Sequence, residues 1–386
     1  MKAEGFIAGR LRFKGRVAVA ATAISFFIII LSVCISEGFS RQIRKGAADI
    51  TGDILITDRG GNFFGVTDPI SAEPSFAENV KAIRGVESLE PIICRTGIVR
   101  KGDQIKGVMF KGTDADTTRM GARVPSALAA QLDLKTGDNL QAWFISDKIK
   151  VRKFKIIEIY ESLIDSDEGL VIRTSASDMR RLNGWTDADA SALEVGLAPA
   201  YRGRRTMEEA TRQVGMAVAA STDDEENGLG ALSASDRFPQ LFDWLDLIDY
   251  NVLAILALMT VVAGFNMVSG LLILLFRNIS TIGTLKTLGM RDRDIAGVFL
   301  RVGARISLKG MLIGNAAALL FCIVQGLTGI IKLDPANYFI SFVPVSIDPL
   351  RILLTDAVAF IAIQLLLLIP SLFISKIDPS LTVKAE

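Results

Sequence analysis

The sequence predicts an α-helical integral membrane protein in which a large extracytoplasmic mixed α/β domain is inserted between the first two of four transmembrane helices. Half of the 386 residues are hydrophobic although 22% are charged, so the apolar residues must be concentrated in blocks. Four blocks carry no charge, and each has at least 19 residues, where a helix needs ~20 to cross the ~30 Å core of a bilayer. A soluble helix rarely stays apolar on every face over such a length.

The uncharged blocks define the four predicted transmembrane segments. The blocks are Val17–Ile35, Val252–Phe276, Gly310–Ile331 and Ala357–Ser375. With their flanks, they predict transmembrane segments at residues 17–37, 248–276, 310–331 and 352–375. The rest of the chain then divides into a cytosolic amphipathic entry segment (1–16), the extracytoplasmic α/β domain with a stalk (38–247), a cytosolic segment (277–309), an extracytoplasmic loop (332–351) and a cytosolic tail (376–386).

The first block has a second possible interpretation, as a signal peptide, because a basic leader precedes it. The letters "LSVC" at Leu31–Cys34 imitate a lipoprotein cleavage box, but Val33 stands where a small residue is needed and no A-x-A site follows. The block is also long for a signal peptide. We therefore predict that it remains a transmembrane helix.

The distribution of Lys and Arg predicts the orientation, because cytosolic loops carry an excess of both. The leader is strongly basic and has Glu4 as its acidic residue, and residues 277–309 carry many basic residues against Asp292 and Asp294. Both segments are therefore expected in the cytosol. With four crossings, both termini lie inside and residues 38–247 lie outside, as in a multi-pass protein of the cell inner membrane.

Residues 38–247 alternate between strand and helix patterns. Strands are expected at "DILIT" (Asp53–Thr57) and "KVRKFKIIEIYE" (Lys150–Glu161), and a hairpin in "IVRKGDQIKGVMF" turns at Lys101–Gln104. Helices are expected in "PSALAAQLDL", in "SASDMRRLNG" with Gly184 near its end, and in "TMEEATRQVGMAV". From about Phe238 a helical pattern runs into the second uncharged block, which predicts a helical stalk.

The composition excludes several kinds of chemistry. The chain has no histidine, which removes the usual zinc ligand and every Ser-His-Asp arrangement. It has no G-x-x-x-x-G-K-[ST] phosphate loop, and "DSDEG" at Asp165–Gly169 lacks the spacing of a calcium-binding loop. A net charge of +1 does not show the excess of positive charge that is typical of nucleic-acid-binding proteins. We predict a chain without catalytic residues, a metal site or a bound cofactor.

Polar residues inside the predicted transmembrane segments raise the question of a buried polar site. Asp356 lies about one turn from the outer end of the last segment, so we expect its carboxylate to reach water, although an ionisable group there could be functional. Asn266 and Gln364 lie deeper. We expect them to form hydrogen bonds between helices.

The stretch "FRNISTIGTLKTLGMRDRDI" (Phe276–Ile295) follows the second uncharged block and is amphipathic. Apolar residues recur every three positions, which predicts a short helix with one apolar stripe formed by Ile279, Ile282, Leu285 and Leu288. Gly289 fits the stop position, Asp292 could cap the next helix, and Lys286 is expected on the solvated side. An interfacial helix that rests on lipid is the alternative.

The segment "STIGTLKTLGMRDRDIAGVFL" resembles the I-G-x-L-K-x-L-G segment of the FtsX/MacB permease superfamily of ABC transporters. The resemblance extends to "FIAGRLRFKGR" before the first helix, to "YFISFVPVSIDP" (Tyr338–Pro349), which is similar to lipoprotein-releasing permeases of the LolC/LolE kind, and to the ending "IDPSLTVKAE". It covers most of the chain, because one helix, a large external domain and then three helices form the topology of that superfamily.

The resemblance implies a non-catalytic subunit that couples ATP hydrolysis by a partner to movement of its external domain, which is called mechanotransmission. It implies that Ile279, Ile282, Gly283, Leu285, Lys286, Leu288 and Gly289 dock on a cytosolic ABC ATPase dimer, which would bind ATP and Mg²⁺. It also implies a dimer with a second permease copy or a paralogue, and extraction of a lipoprotein from the outer leaflet. Apolar helices that would wall such a substrate cavity carry Phe26, Phe27, Ile30, Met259, Phe265 and Asn266.

The sequence departs from the family pattern at two places. The charged E-R-T-x-E-like run that usually precedes I-G reads "RNIST" here, and "FISDKIKVRKF" (Phe144–Phe154) leaves room for a tight hairpin instead of the long hook that recruits a soluble lipoprotein carrier. A periplasmic carrier is therefore not expected. The alternatives to lipoprotein release are efflux, control of a cell-wall hydrolase, and a membrane-bound sensor without transport.

Overall fold

The computed structural model describes residues 16–59, 68–145, 148–162, 170–221, 226, 228–334, 338 and 340–371. The chain forms two compact units. The helical unit comprises Met1–Ser40, Asp246–Ile331 and Val343–Glu386, and the inserted unit comprises Arg41–Leu245 with Lys332–Phe342. Most of the predicted entry segment, the predicted tail 376–386 and the "DSDEG" turn lie outside the described residues.

The helices and strands alternate along the chain. In order they are α1 (Arg16–Thr51), β1 (Ile54–Asp58), β2 (Ile70–Ser71), α2 (Ala77–Lys81), β3 (Val86–Lys101), β4 (Gln104–Thr113), β5 (Gly121–Pro125), α3 (Ser126–Gln131), β6 (Asn139–Phe144), β7 (Lys150–Tyr160), β8 (Val171–Ser175), α4 (Ala176–Asn183), β9 (Asp189–Ala190), β10 (Ala192–Leu197), a 3₁₀ turn (Pro199–Tyr201), α5 (Arg204–Ala219), β11 (Leu229–Ser233), α6 (Ala234–Arg237), α7 (Pro239–Arg277), α8 (Ile279–Thr287), α9 (Asp292–Thr328), α10 (Pro349–Leu366) and α11 (Leu368–Ser371).

Four helices among the described residues are long and apolar enough to cross a membrane. They are α1, α7, α9, and α10 continued by α11. The helices extend beyond the uncharged blocks: α1 continues to Thr51, and α7 begins at Pro239, as the predicted helical stalk requires. The prediction of four apolar helices with a domain inserted between the first two is therefore confirmed.

Helices α1 and α9 pack in parallel along a seam of small residues spaced four apart. A Cβ atom on Gly310 would lie 2.7 Å from Cβ of Thr22, and one on Gly314 would lie 2.9 Å from Cβ of Phe26. Each step of four residues on one helix matches a step of four on the other, and Ala318 and Cys322 continue the buried row on α9. Small residues let two membrane helices approach closely, which replaces the hydrophobic driving force that lipid does not provide.

The same register places the buried Cys34 and Cys322 at matching positions of the seam and predicts a cross-link between them. Oxidation of the full-length protein with copper phenanthroline should produce an intramolecular disulfide, detected by proteolysis and mass spectrometry without reductant. Cys34→Ala should abolish the product, whereas Cys94→Ala should not. A protein that stays unlinked under conditions that oxidise other neighbouring cysteine pairs would contradict the parallel register.

Helices α9 and α10 are antiparallel and share a polar contact. A Cβ atom on Gly303 would lie 2.9 Å from Cδ1 of Leu367, and further along the pair Nδ2 of Asn315 donates to Oδ2 of Asp356 at 2.5 Å. Asp356 is buried. The expectation that its carboxylate reaches water is therefore wrong, because α9 covers the face of α10 that carries it.

The inserted unit is a mixed α/β structure built on a nine-stranded sheet, as far as the described residues show. Strands β3, β4, β8, β5, β7 and β6 pair in this order, and β6 pairs back onto β3, so that six strands close into a barrel. The first half of β3 leaves the barrel and pairs with β10, which continues through β1 to β11. One long strand thus connects the barrel with an open sheet.

The barrel interior is filled by aromatic and aliphatic side chains from alternate strand positions. Phe110, Phe144 and Phe154 pack together with ring centroids 4.8 to 6.4 Å apart. Because side chains alternate across a strand, the neighbouring residues Met109 and Trp143 point away from this interior. The outer face of the barrel therefore also carries apolar side chains.

The expected strands and helices of this domain are confirmed. The hairpin turns between Lys101 and Gln104, Gly184 ends α4 in a left-handed conformation, and α5 covers the segment predicted as a helix. Strands β8, β10 and β11 were not predicted, because their short apolar runs lie beside helical patterns and they are fixed by pairing with distant strands.

Candidate functional site

The candidate site is the pair of helices α8 and α9 and the tight turn between them. Helix α8 ends in a Schellman motif, in which the N–H of Met290 donates to the carbonyl of Leu285 and the N–H of Gly289 donates to that of Lys286, both at 3.0 Å. Gly289 has a φ of +87°, which a residue with a Cβ adopts only with strain. Its predicted role as the stop of the helix is confirmed.

The apolar stripe of α8 is divided between two environments. Ile282 and Gly283 are buried, and Leu285 packs against the core of the helical unit. Ile279 is partly exposed, and Leu288 is 79% exposed at the end of the helix. Ile282 and Leu285 therefore hold α8 on its own chain, which leaves Ile279 and Leu288 as the exposed part of the stripe for the predicted docking on a partner.

Lys286 is not solvated, in contrast to the prediction. Its side chain is 10% exposed, and Nζ lies 3.0 Å from Oδ1 of Asp292 at the start of α9. Asp292 is the first residue of α9 and does not form the expected cap, because Arg291 occupies the N-cap position without a side-chain hydrogen bond. The ion pair connects the two sides of the turn around Gly289.

Reversal of this ion pair should test its role in holding the turn. Lys286→Asp should loosen the turn, because it places two carboxylates together where one salt bridge stood. The double variant Lys286→Asp with Asp292→Lys should restore much of the loss. Protease cleavage between Thr287 and Arg293 in the full-length protein measures the opening. Equal cleavage of the single and double variants would show that the pair does not hold the turn.

The outward face of α8 carries hydroxyl groups instead of charges. Thr281, Thr284 and Thr287 recur every three residues and are exposed, and Leu288 follows them at the tip. Oγ1 of Thr284 donates to the carbonyl of Ser280 and Oγ1 of Thr287 donates to that of Thr284, so both hydroxyls are held against the helix. Sequence reasoning missed this face, although the three-residue spacing of the threonines was a visible signal.

The start of α9 is anchored in the helical unit. Ile295, Val298, Phe299 and Val302 form an apolar stripe, and all four are buried in the core cluster of the unit. We call the surface formed by Thr281, Thr284, Thr287, Leu288 and Gly289 the α8 tip. The helices on either side of it, α8 and α9, are both packed into the core of the helical unit. The α8 tip offers a small, rigid apolar projection with a polar flank.

The residues predicted to wall a substrate cavity do not share one surface. Phe26 and Ile30 are fully buried in the helix core, where Phe27 stacks edge-on against Phe321 at 6.3 Å. Met259 packs against the same core, and Asn266 is half-buried on α7. Phe265 points outward and is 66% exposed. The structure does not bring the six together, because α9 packs onto the α1 face that carries Phe26 and Ile30.

Comparisons with known proteins find a family model and distant relatives that match this chain. Residues 253–379, which include the α8 tip, match the family described as FtsX-like permease C-terminal. The lipoprotein-releasing system transmembrane protein LolE of Haemophilus influenzae is 21% identical over 93% of this chain and 91% of its own length. The corresponding protein LolC of Neisseria meningitidis serogroup B is 19% identical over 98% of this chain and 95% of its own length.

Two solved structures are similar to part of the chain. The extracellular domain of the noncanonic ABC-type transporter YknZ from Gram-positive bacteria aligns with 47% of this chain and 99% of its own, at 11% identity and a TM-score of 0.28. The periplasmic region of MacB from Actinobacillus actinomycetemcomitans aligns with 49% and 92%, at 12% identity and the same TM-score. The family match and the two relatives confirm the resemblance recognised in the sequence.

Proposed function

We propose that this chain, an FtsX/MacB-type permease by the match of residues 253–379 and by its distant relatives, couples a cytosolic ATPase to the extraction of lipoproteins from a membrane. The coupling to an ATPase is supported by the exposed α8 tip. It is an exposed projection at the turn between two helices that each bury one side in the helical unit, and the family match includes it. A projection of this kind can transmit movement because α8 and α9 are packed into the helical unit.

ATP and Mg²⁺ would be bound by the partner, because the sequence contains no phosphate loop of the Walker type. Two ATPase subunits and a second permease copy or paralogue complete the proposed assembly. The lipoprotein substrate is supported by the names of both relatives, which this chain matches over nearly their whole length. No carrier protein is included, because β6 ends at Phe144 and β7 begins at Lys150, which leaves no long hook between them.

Reconstitution tests the proposed function. The chain should be purified from its native membrane with its co-purifying ATPase and placed in liposomes that contain a fluorescent triacylated lipoprotein. ATP should release the lipoprotein, and the chain alone should hydrolyse no ATP. ATP hydrolysis by the complex without lipoprotein release would support the ATPase partner but contradict a lipoprotein as the substrate. Clear ATP hydrolysis by the isolated chain would contradict the proposal as a whole.

The proposed orientation makes a separate prediction. A cysteine that replaces the exposed Thr287 of the α8 tip should react with a membrane-impermeant maleimide only from the cytosolic side of spheroplasts. A cysteine in place of Asp103, at the β3–β4 turn of the inserted unit, should react only from outside. The native cysteines are buried and should remain unlabelled. Labelling of position 287 from outside would invert the topology.

A further inference from the structure

A carboxyl group and a carboxamide meet inside the helical unit, at the contact between α9 and α10. Nδ2 of Asn315 donates to Oδ2 of Asp356 at 2.5 Å. The other oxygen of each group, Oδ1 of Asp356 and Oδ1 of Asn315, is buried without a hydrogen-bond partner. This polar pair is separate from the α8 tip and has no role in the proposed docking of an ATPase.

The register of the two antiparallel helices explains why these side chains meet. Gly303 of α9 packs against Leu367 of α10. About three turns further along α9 and three turns back along α10, the facing positions are Asn315 and Asp356. The outward side of α10 at this height is apolar and exposed, with Leu353, Leu354 and Val358. In the proposed orientation that side faces lipid, so the pair lies between two helices and behind an apolar surface.

No cation neutralises Asp356 among the described residues. Arg351, the basic residue of α10, forms an ion pair with Glu37 of α1. The other titratable residues of α10 and of the helices around it are exposed, cap a helix or line the seam between α1 and α9: Asp348, Lys309, Cys34, Cys322, Asp249 and Tyr250. An ionised carboxylate at Asp356 would therefore be an unpaired charge removed from water, which is strongly unfavourable.

A proton on Asp356 supplies what the pair lacks. A neutral carboxyl group has one O–H donor, whereas a carboxylate has none. With the proton on Oδ1, Asp356 can donate to Oδ1 of Asn315 while Nδ2 of Asn315 donates to Oδ2 of Asp356. One proton thus removes the charge and gives both unpartnered oxygens a hydrogen bond. Carboxylic acids that stay neutral at neutral pH in apolar surroundings are known from enzyme sites.

Larger occupants do not fit beside these oxygens. Both Oδ1 atoms are enclosed by protein atoms, so a water molecule would need space that the two helices do not leave. A metal cation would need that space as well, together with several more oxygen ligands than one carboxylate and one amide provide. A proton needs no volume of its own.

We infer that Asp356 and Asn315 form a proton-binding site, in which a neutral carboxylic acid holds the outer parts of α9 and α10 together. A movement that admits water between the two helices lets the carboxyl group ionise. The O–H bond then breaks, its electron pair stays on Asp356, and water accepts the proton. The inference does not depend on the ATPase or on lipoprotein release.

Infrared spectroscopy can detect this proton in the full-length protein in lipid discs at neutral pH. The protein is prepared with ordinary aspartate and with aspartate that carries carbon-13 in its side-chain carboxyl group. The difference spectrum should contain the C=O stretch of a neutral carboxylic acid, which lies apart from the carboxylate bands. This band should disappear in Asp356→Asn and persist in Asp249→Asn, because Asp249 is exposed on α7. The absence of the band from the unchanged protein would overturn the site without the need for any variant.

The stability of Asp356→Asn distinguishes a neutral from an ionised native group. An amide at position 356 keeps one donor and one acceptor towards Asn315, so this variant should unfold within about 2 °C of the unchanged protein at neutral pH. Asp356→Leu leaves Asn315 without its partner and should unfold several degrees lower. If Asp356 were ionised in the folded protein, Asp356→Asn would remove a buried charge. A clearly higher unfolding temperature of that variant would therefore contradict the proton.

The pH dependence of unfolding gives a second measurement in detergent. Above about pH 4 an aspartate in the unfolded chain is ionised, whereas the folded protein holds the proton. The stabilisation by the proton is therefore fully present below that pH and is lost as the pH rises. From about pH 6 to 9, the unfolding temperature of the unchanged protein should fall relative to Asp356→Asn by about 2 °C per pH unit while the proton stays bound. Parallel curves for the two proteins would overturn the inference.

Discussion

Leu288→Asp is expected to abolish co-purification of the proposed ATPase partner. Leu288 is 79% exposed and has its neighbour Gly289 in a left-handed conformation, so the side chain projects from the end of α8. In a complex it would be buried against the partner, and an unpaired carboxylate in such a contact costs several kcal/mol. The affinity should fall by roughly a hundredfold or more. Pull-down of the ATPase from detergent-solubilised membranes measures the effect.

The control for this variant is Ile105→Asp. Ile105 is 59% exposed near the start of β4 in the inserted unit, outside the predicted transmembrane segments, so the same charge on an exposed apolar residue should leave the ATPase bound. Leu285→Asp is not a suitable test, because Leu285 packs against the core of the helical unit and its replacement would also disturb folding. Equal retention of the ATPase by Leu288→Asp and by the unchanged protein would exclude the α8 tip as the coupling surface.

The same pair of variants separates docking from the alternative that α8 rests on lipid. A helix on lipid would lose membrane contact when Leu288 becomes Asp, but the ATPase would still bind and its turnover in lipid discs would be unchanged. The threonine face supports docking on a protein, because Thr281, Thr284 and Thr287 provide hydroxyl groups where an interfacial helix would place Lys and Arg.

The sequence located the candidate segment but not its exposed side. A three-residue repeat shows that Ile279, Ile282, Leu285 and Leu288 lie on related faces of a helix, but it does not show which neighbour covers them. The covering residues come from the rest of the helical unit, which approaches α8 only in the folded chain. Lys286 was misplaced for the same reason, because its partner Asp292 lies across a sharp turn whose geometry depends on Gly289.

The parts of the fold that depend on residues close together in the sequence were predictable. Apolar length identified the four helices, and the residues of the β3–β4 turn identified the hairpin. Closure of the barrel was not predictable, because Ile98 pairs with Trp143, which lies far along the chain, and nothing near either residue indicates the pairing. The burial of Asp356 depends in the same way on Asn315 of another helix.

The small residues of the seam between α1 and α9 were visible in the sequence at a spacing of four: Gly310, Gly314, Ala318 and Cys322. The length of an uncharged block, however, does not show which face of its helix is covered.

Gly314→Val should strongly lower the stability of the packing between α1 and α9. A Cβ atom on Gly314 would lie 2.4 Å from the carbonyl oxygen of Ala23 and 2.9 Å from Cβ of Phe26. Backbone at this distance cannot rotate away, so α1 and α9 must separate.

Overpacking of a core typically lowers the free energy of unfolding by about 1–3 kcal/mol. Because the added side chain here meets backbone, we expect a loss at the upper end of that range or above it. Thermal unfolding of the purified protein in detergent should therefore occur several degrees lower in Gly314→Val, with faster maleimide labelling of Cys34 and Cys322, because the seam that buries both thiols opens. Ala317→Val adds bulk to an exposed position of the same helix and should change neither measurement. If Gly314→Val and Ala317→Val unfold at the same temperature and protect both cysteines equally, α1 does not pack on the glycine face of α9.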